Sequence, residues 1–331
     1  MQTKNITSTN QQVVLNSIKA KIDDRPIRPK VSVMIVSYNQ KNFVAEAIEG
    51  AINQDYENLE VVISDDGSTD GTADIIAQWQ LRYPERLVAL LNRENVGITR
   101  NSNRCLRACT GDFIAFLGGD DVLLPGKISA QVDWFEKDEK RVLCGHQVEV
   151  FYENTSKAPH QLGKLMIAGE GPALIIRNGG CYGALSIMVA KWAIPKDGFN
   201  EKLPNVSDTM FWIDTVFPNH KWGFIEGVYA KYRKHSHNIT NNIELTRSEV
   251  TLALDIVKQK YPAYQQDCRI AEGVNKYEIG KFYLMQFDSK KANYFFWQSI
   301  LTDPLNFKYW VRYFQGWLLV IRKPLKKVKG I

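Results

Sequence analysis

The chain has 331 residues, 44% of them hydrophobic, which is enough for one large or two modest cores and too much for a disordered or fibrous protein. Its five cysteines are an odd number without CxxC spacing, so neither a zinc site nor a disulfide framework is indicated. The net charge of +6 is a local matter: Pro304–Ile331 holds seven basic residues and no acid, and without those seven the charge is −1, so the body carries no basic surface for nucleic acid.

Residues 1–30 are polar and charged and read as a lead-in, with no apolar signal-peptide core in MQTKNITSTNQQ. From residue 31 apolar runs alternate with helical patterns. VSVMIVS (31–37) is a continuous β-branched run, the mark of a strand buried on both faces. A helix follows with Phe43, Ala47, Ile48 and Ala51 on one side. LEVVISDD (59–66) is the second strand and TADIIAQWQLRY (72–83) the second helix. RLVALLN (86–92), TRNSNRCLRAC (99–109) and DFIAFL (112–117) give strand, helix and strand. Such alternation predicts a parallel sheet with helices on both faces. Residues 151–178 lack a clear period. PNVSDTMFWIDTVF (204–217) reads as a helix, WGFIEGVYAKYR (222–233) as a strand, and the chain from about 246 as helical. No apolar run approaches the roughly 20 residues that cross a bilayer.

Ligands on parallel sheets sit at the carboxyl ends of the strands. SYN follows the first strand, DDGSTDGT the second, NRENVG the third and GGDD the fourth, so four polar clusters are predicted at one edge. A nucleoside diphosphate offers a flat base, a ribose diol and charged phosphates. An aromatic ring and a carboxylate suit the base, glycine N–H groups suit phosphate, and a divalent cation on carboxylates neutralises the diphosphate. Tyr38, Asp65, Asp66, Gly97 and Asp120 supply those groups.

VSVMIVSYNQ, VVISDDGSTDGT, NRENVGITRN, GDFIAFLGGDD and SDTMFW, in this order, resemble the family-2 glycosyltransferases of the GT-A fold over residues 31–240. The resemblance implies an α/β architecture, a mostly parallel Rossmann-like sheet flanked by helices. Residues 31–125 would form the nucleotide half and 126–240 the acceptor half, followed by a helical extension (241–304) and a basic amphipathic tail (305–331). It implies inverting transfer of one sugar from a nucleotide-sugar, usually a UDP-sugar, with Mn2+ or Mg2+ as cofactor. By position, Val36 and Tyr38 meet the base and Asp66 reads it. Arg100 lies near ribose and phosphates, with Gly119 beside the donor. Asp120 matches the metal-binding last Asp of the family's DxD, and His235 in YRKHSHNIT completes the metal shell. Asp208 matches the general base of the ED motif. Two positions depart from the pattern: Gly118 stands where DxD has its first Asp, and Ser207 where ED has Glu.

Each motif also has a plainer reading. DDGSTDGT serves as a capped turn, Asp208 as a helix N-cap, Asp121 as a helix-side cap, and Arg100 as a solvated helix charge. His237 competes with His235. The departures leave a second functional class open, a non-catalytic nucleotide-sugar binding module. A processive synthase would carry a QxxRW element and membrane spans, and neither is found.

In the tail, Phe307, Trp310, Val311, Phe314, Trp317, Leu318 and Ile321 form one helical stripe followed by lysines. Interfacial helices have this composition, and core packing is the alternative. The expectation is a cytoplasmic enzyme, peripheral on the inner face of the cytoplasmic membrane. There the tail would meet anionic lipid, and the acceptor would be a lipid-linked glycan of a bacterial surface polysaccharide such as O-antigen or capsule.

Overall fold

The structure is a computed structural model. It describes residues 28–153, 155–163, 168–181, 183–236 and 238–327, the last ten as backbone only. Residues 1–27 of the lead-in, His237 and residues 328–331 lie outside the described residues.

Four strands form the heart of the molecule, three of them buried and the edge strand β3 partly exposed: β1 (Val31–Ser37), β2 (Leu59–Asp65), β3 (Leu87–Leu91) and β4 (Phe113–Gly118). Helices α1 (Val44–Ile52), α2 (Thr72–Arg82) and α3 (Ile98–Ala108) connect them. All four strands run parallel, in the order β3-β2-β1-β4. Side chains alternate between two cores, as a pleated strand requires. Val33, Ile35, Val61 and Ile63 enter the core under α1, while Met34, Val62, Ile114 and Phe116 enter the other.

The register fixes the functional edge. Ser37 pairs with Asp65, Val36 with Gly118, and Asp65 with Leu91, so all four strands end on nearly one line.

After β4 the chain makes the short β5 (Val122–Leu123), α4 (Lys127–Phe135) and β6 (Arg141–Tyr152). The region read as aperiodic holds β7 (His160–Leu162), β8 (Gly169–Glu170) and α5 (Ala173–Asn178). Then come β9 (Met188–Ala190), α6 (Ser207–Val216) and β10 (Lys221–Lys234). The sheet continues β4-β9-β6-β10-β5, with β9 antiparallel to both neighbours and β10 parallel to β6, so it is mixed beyond β4.

Strand β10 is bulged. From Phe224 to Val228 it spends four residue steps where β6 spends two, Gly145 to Gln147, and from Val228 to Ala230 two where β6 spends one.

Four helices complete the chain: α7 (Ile243–Lys260), α8 (Gln265–Met285), α9 (Ser289–Thr302) and α10 (Phe307–Lys327). The sequence KYEIGKFYLMQFDSKKANYFFWQSIL, one unbroken helical pattern by period, breaks at Phe287. That residue takes φ +59°, and Asp288 caps α9 by accepting the Lys291 N–H at 3.1 Å. Among the described residues no helix is long and apolar enough to cross a membrane.

Candidate active site

The DDGSTDGT segment is first of all a scaffold for three loops. Asp65, fully buried at the end of β2, accepts the Ser68 N–H at 2.9 Å and its hydroxyl at 2.6 Å. Burial alone would raise the Asp70 carboxyl, but it accepts the Thr72 hydroxyl at 2.5 Å, the Lys41 N–H at 3.0 Å and the Thr72 N–H at 2.9 Å, and these bonds hold it below the usual range. Asn39, at φ +51°, accepts the Thr69 N–H at 2.9 Å and donates its own N–H to Ser68 Oγ at 2.8 Å. The loops after β1 and β2 are thereby clamped together. The capped-turn reading of the motif thus describes Asp65 and Asp70.

Asp66 does something different. Its Oδ1 accepts the Val96 N–H at 2.9 Å and Asn92 Nδ2 at 3.1 Å, and its Oδ2 accepts the Gly97 N–H at 3.0 Å. One carboxylate therefore carries the whole loop after β3 into the rim. Gly97 has φ +91° and open space where a Cβ would stand. Arg100, three residues on, points Nε at Glu201 Oε2 at 3.0 Å and is mostly exposed, which matches the solvated-charge reading. Val36 is half-buried and the Tyr38 ring is exposed at the same edge.

The GGDD turn closes the rim. His235 Nε2 lies 2.9 Å from Asp120 Oδ2, and Asn238 Nδ2 lies 3.3 Å from the same oxygen. Phe43 stacks on the imidazole at 4.9 Å. Asp121 is not a helix cap. It is buried, and its Oδ1 accepts the backbone N–H of Arg233 at 2.9 Å. Burial, with Asp120 beside it, pushes its carboxyl well above the usual range. A Cβ at position 118 would stand 2.7 Å from Asp120 Oδ1 and 3.3 Å from Asp121 Oδ2, so the glycine in place of the family's first Asp gives these two acids their room.

Sequence reasoning missed four contributors. Arg233, nearly buried on β10, donates from Nε to the Asp120 carbonyl at 2.8 Å, pairs with Glu46 and Glu153, and lies between the rings of Phe43 and Phe151. It stands two residues before His235 in a segment already singled out, so a signal existed. Ser37 Oγ and Gln40 Oε1 are buried and find no hydrogen-bond partner among the described residues. Both flank Gly119: a Cβ there would collide with Gln40 Oε1 and come within 3.3 Å of Ser37 Oγ. Buried polar atoms are nearly always paired, so two unpaired ones side by side are where a bound polar group or water would fit.

The fourth contributor, Glu249 of α7, accepts the N–H groups of Asn205 at 2.6 Å and Val206 at 3.3 Å. It supports the entry to α6 in place of a side-chain cap, and no sequence signal links residues this far apart. Asp208 lies in the first turn of α6 and is not its N-cap. It is half-buried, and its Oδ1 accepts the Thr209 N–H at 2.7 Å. Burial pushes its carboxyl above the usual range despite that bond. Ser207 Oγ lies 3.4 Å from Thr99 Oγ1, which ties α6 to α3 immediately behind Gly97. Trp212 is core, edge-on to Phe116 of β4 at 4.9 Å.

Asp120 and His235 form a carboxylate–imidazole pair suited to a divalent cation, which prefers oxygen donors and accepts imidazole. No group of three His, Cys, Asp or Glu able to hold a metal exists among the described residues. Two protein donors fit an ion that keeps water and takes its other ligands from a substrate's phosphates.

Residues 32–193 match the family model "Glycosyl transferase family 2". The chain is 38% identical over 125 residues to the putative glycosyltransferase EpsE of Bacillus subtilis, covering 38% of this chain and 45% of that protein. It is 37% identical over 122 residues to chondroitin synthase of Escherichia coli, covering 36% and 18%. The chain thus spans less than half the length of these curated relatives. Among solved structures, S. aureus TarS 1–349 with UDP-GlcNAc superposes with TM-score 0.63 at 16% identity, over 90% of this chain and 92% of that one. The mannosyltransferase PcManGT from Pyrobaculum calidifontis with GDP-Man and Mn2+ gives TM-score 0.59 at 15% identity, over 95% and 89%. Residues 32–193 thus resemble family-2 glycosyltransferases in sequence, and the architecture is the GT-A fold of these solved neighbours.

Proposed function

We propose that the protein transfers one sugar, with inversion, from a nucleotide-sugar to a hydroxyl of a glycan acceptor. The observation that carries this reading is the pair of orphaned buried atoms, Ser37 Oγ and Gln40 Oε1, both on the side of Gly119 where a Cβ would stand, one residue before Asp120 of the Asp120–His235 pair. A diphosphate with its ribose offers hydroxyls and phosphate oxygens that would pair with both atoms. The solved neighbours named for UDP-GlcNAc and for GDP-Man support a nucleotide-sugar donor, and we take UDP as the carrier.

Asp120 and His235 would hold Mn2+ or Mg2+, which when bound offsets diphosphate charge as the leaving group departs. Asp208 takes the proton of the acceptor hydroxyl while its oxygen bonds to C1 and the C1–O bond to the diphosphate breaks, its electrons leaving with the phosphate. A carboxyl raised by burial is a better base near neutrality than an ordinary aspartate. Asp66 and Tyr38 face the base, with Val36 beneath, and Gly97 and Gly119 leave the backbone open to the donor. Arg100 reaches the donor only by releasing Glu201, and Asp65 acts through Ser68. The relatives named for chondroitin synthesis and as EpsE support a polysaccharide role, and we place the acceptor on a lipid carrier at an anionic membrane surface.

Gly118 and Ser207 favour a second reading, a domain that binds nucleotide-sugar without turning it over. Incubation with Mn2+ and a panel of UDP-, GDP- and dTDP-sugars separates the two. Slow release of nucleoside diphosphate, lost in Asp208→Asn and Asp120→Ala, supports the enzyme. Thermal stabilisation by a donor without any release supports the binding module.

A further inference from the structure

The helical extension carries an exposed surface that the transfer reaction does not use. Helix α10 docks on α8 and α9 through one side only. Tyr309 is buried with its ring 5.2 Å from that of Tyr277, and Gly316 lies against Asn293, where no side chain would fit. On the other side Phe307 is 77% exposed, Phe314 58% and Trp317 49%. Helix α9 adds Tyr294, Trp297 and Leu301, one helical face, all exposed. The two helices share one aromatic surface, for the Trp297 ring lies 5.6 Å from Tyr313 and 6.3 Å from Trp310, and Trp310 lies 6.2 Å from Phe314. A contiguous patch of this kind marks an interaction surface, since single exposed apolar residues are ordinary and clustered ones are not.

Charge decides what covers it. Lys308 and Arg312 stand exposed beside the rings on α10, and Lys290 and Lys291 on the first turn of α9. Beyond Leu301 opens a cleft of about 480 Å3 lined by Arg269, Lys276 and the Lys258–Glu272 pair. The nearby acids are engaged: Glu272 pairs with Lys258, and Asp303 accepts Asn306 Nδ2 at 3.3 Å. The segment from Pro304 to Ile331 has seven basic residues and no acidic one. A second copy of the chain meeting this face would set like charges against each other, whereas aromatic rings bordered by cations complement the headgroup layer of an anionic bilayer.

We propose that α9 and α10 together form a docking surface for an anionic phospholipid bilayer, with Trp297, Phe314 and Trp317 at headgroup depth. This deepens the membrane location proposed above by giving it residues from two helices. It needs no donor, acceptor or catalysis, so its failure leaves the transferase reading untouched.

The test is co-sedimentation of the full chain, without nucleotide, on phosphatidylcholine vesicles with and without phosphatidylglycerol. The parent is expected to bind the phosphatidylglycerol vesicles, with its Trp emission moving to shorter wavelength, and to release as salt rises. Phe314→Ser/Trp317→Ser should lower the affinity at least about tenfold, and Lys308→Glu/Arg312→Glu should lower it for anionic vesicles. Both pairs are exposed, and unchanged melting temperatures will show the fold intact. Equal binding by the aromatic variant, or equal binding to pure phosphatidylcholine, overturns the proposal. So does a dimer that the aromatic variant dissociates in the absence of vesicle binding, which would give the face to a second copy.

Discussion

His235 reaches Asp120 at 2.9 Å from the far end of β10, and both acids of the GGDD turn are fastened to that strand by a single residue, Arg233. The candidate cation site is therefore formed by a turn and a strand end pinned to each other before any ligand arrives. Replacing Asp120 with Asn keeps the size and removes the charge. Donor hydrolysis with Mn2+ should fall at least about 100-fold, and the Mn2+-dependent rise in melting temperature with UDP should vanish. A variant that keeps both would exclude Asp120 from the cation site.

Arg233→Met should loosen the turn. Glu46 is about half exposed and Glu153 about a quarter, so the acids left behind regain water. The loss should then fall below the roughly 3–5 kcal/mol typical of breaking a fully buried pair, and we expect about 2 kcal/mol by urea unfolding. Arg233→Lys should recover part of the stability without the bond to the Asp120 carbonyl.

Asp208 carries a pH signature. Burial raises its carboxyl, and a base works only deprotonated, so kcat/KM should rise with pH through a limb above the ordinary aspartate range. Asp208→Asn should cost about 10²–10⁴ in kcat, abolish that limb and leave donor binding intact by thermal shift. An unchanged limb would assign the titration to another group.

Gly119 and Gly97 should respond differently to alanine. At Gly119 the methyl collides with Gln40 Oε1 and closes the space between the two orphaned atoms. Gly119→Ala should weaken donor binding at least about tenfold, about 1.4 kcal/mol. Gly97→Ala meets nothing but is strained by its φ of +91°, so it should cost roughly 1–2 kcal/mol of stability with a smaller change in donor affinity. Calorimetric titration with UDP alongside unfolding separates the two effects.

A buried lysine–histidine cluster sets a second pH dependence. Lys127 Nζ lies 2.8 Å from Gln131 Oε1 and 3.0 Å from His146 Nε2, sealed between α4 and β6. Burial lowers the amine to about 7, while burial and then Lys127 lower the imidazole to about 2. Unfolded, the lysine keeps its proton to about pH 10.4. Between about 7 and 10 the unfolded chain binds more protons, so this lysine's contribution to stability rises with pH across that window and is least below pH 7. Relative to Lys127→Met, the parent should gain up to about 1.4 kcal/mol per pH unit there, read by urea unfolding at several pH values. A flat difference would mean the amine stays charged in the fold.

Much of this was legible from the sequence where burial is symmetric. β1, β2 and β4 are sealed on both faces, so they read as apolar runs, and their polar ends named the rim. β6 did not, because RVLCGHQVEVFY carries His146 and Gln147 along a strand whose polar groups are satisfied by Lys127 and Gly163 from other elements. The break between α8 and α9 was hidden because a phenylalanine, not a glycine or proline, takes the left-handed conformation at 287. At the site, Asp66 and Asp120 were singled out by type and place, and His235 by the likeness of YRKHSHNIT to the family's closing element. The inward roles of Asp65, Ser37 and Gln40 depend on which oxygen faces which neighbour, and Glu249 acts from a helix more than forty residues beyond the loop it holds.

The irregularity in β10 bears on how this protein tolerates changes of length. Its three surplus residues between Phe224 and Ala230 are an odd number, so they exchange the two faces of everything downstream. One residue deleted or inserted there would turn the Arg233 side chain to the opposite side of the sheet and take the loop bearing His235 with it. The exposed Glu226 looks like a convenient place to graft a tag, yet this stretch is the gauge that sets the arginine and the histidine against the double-acid turn.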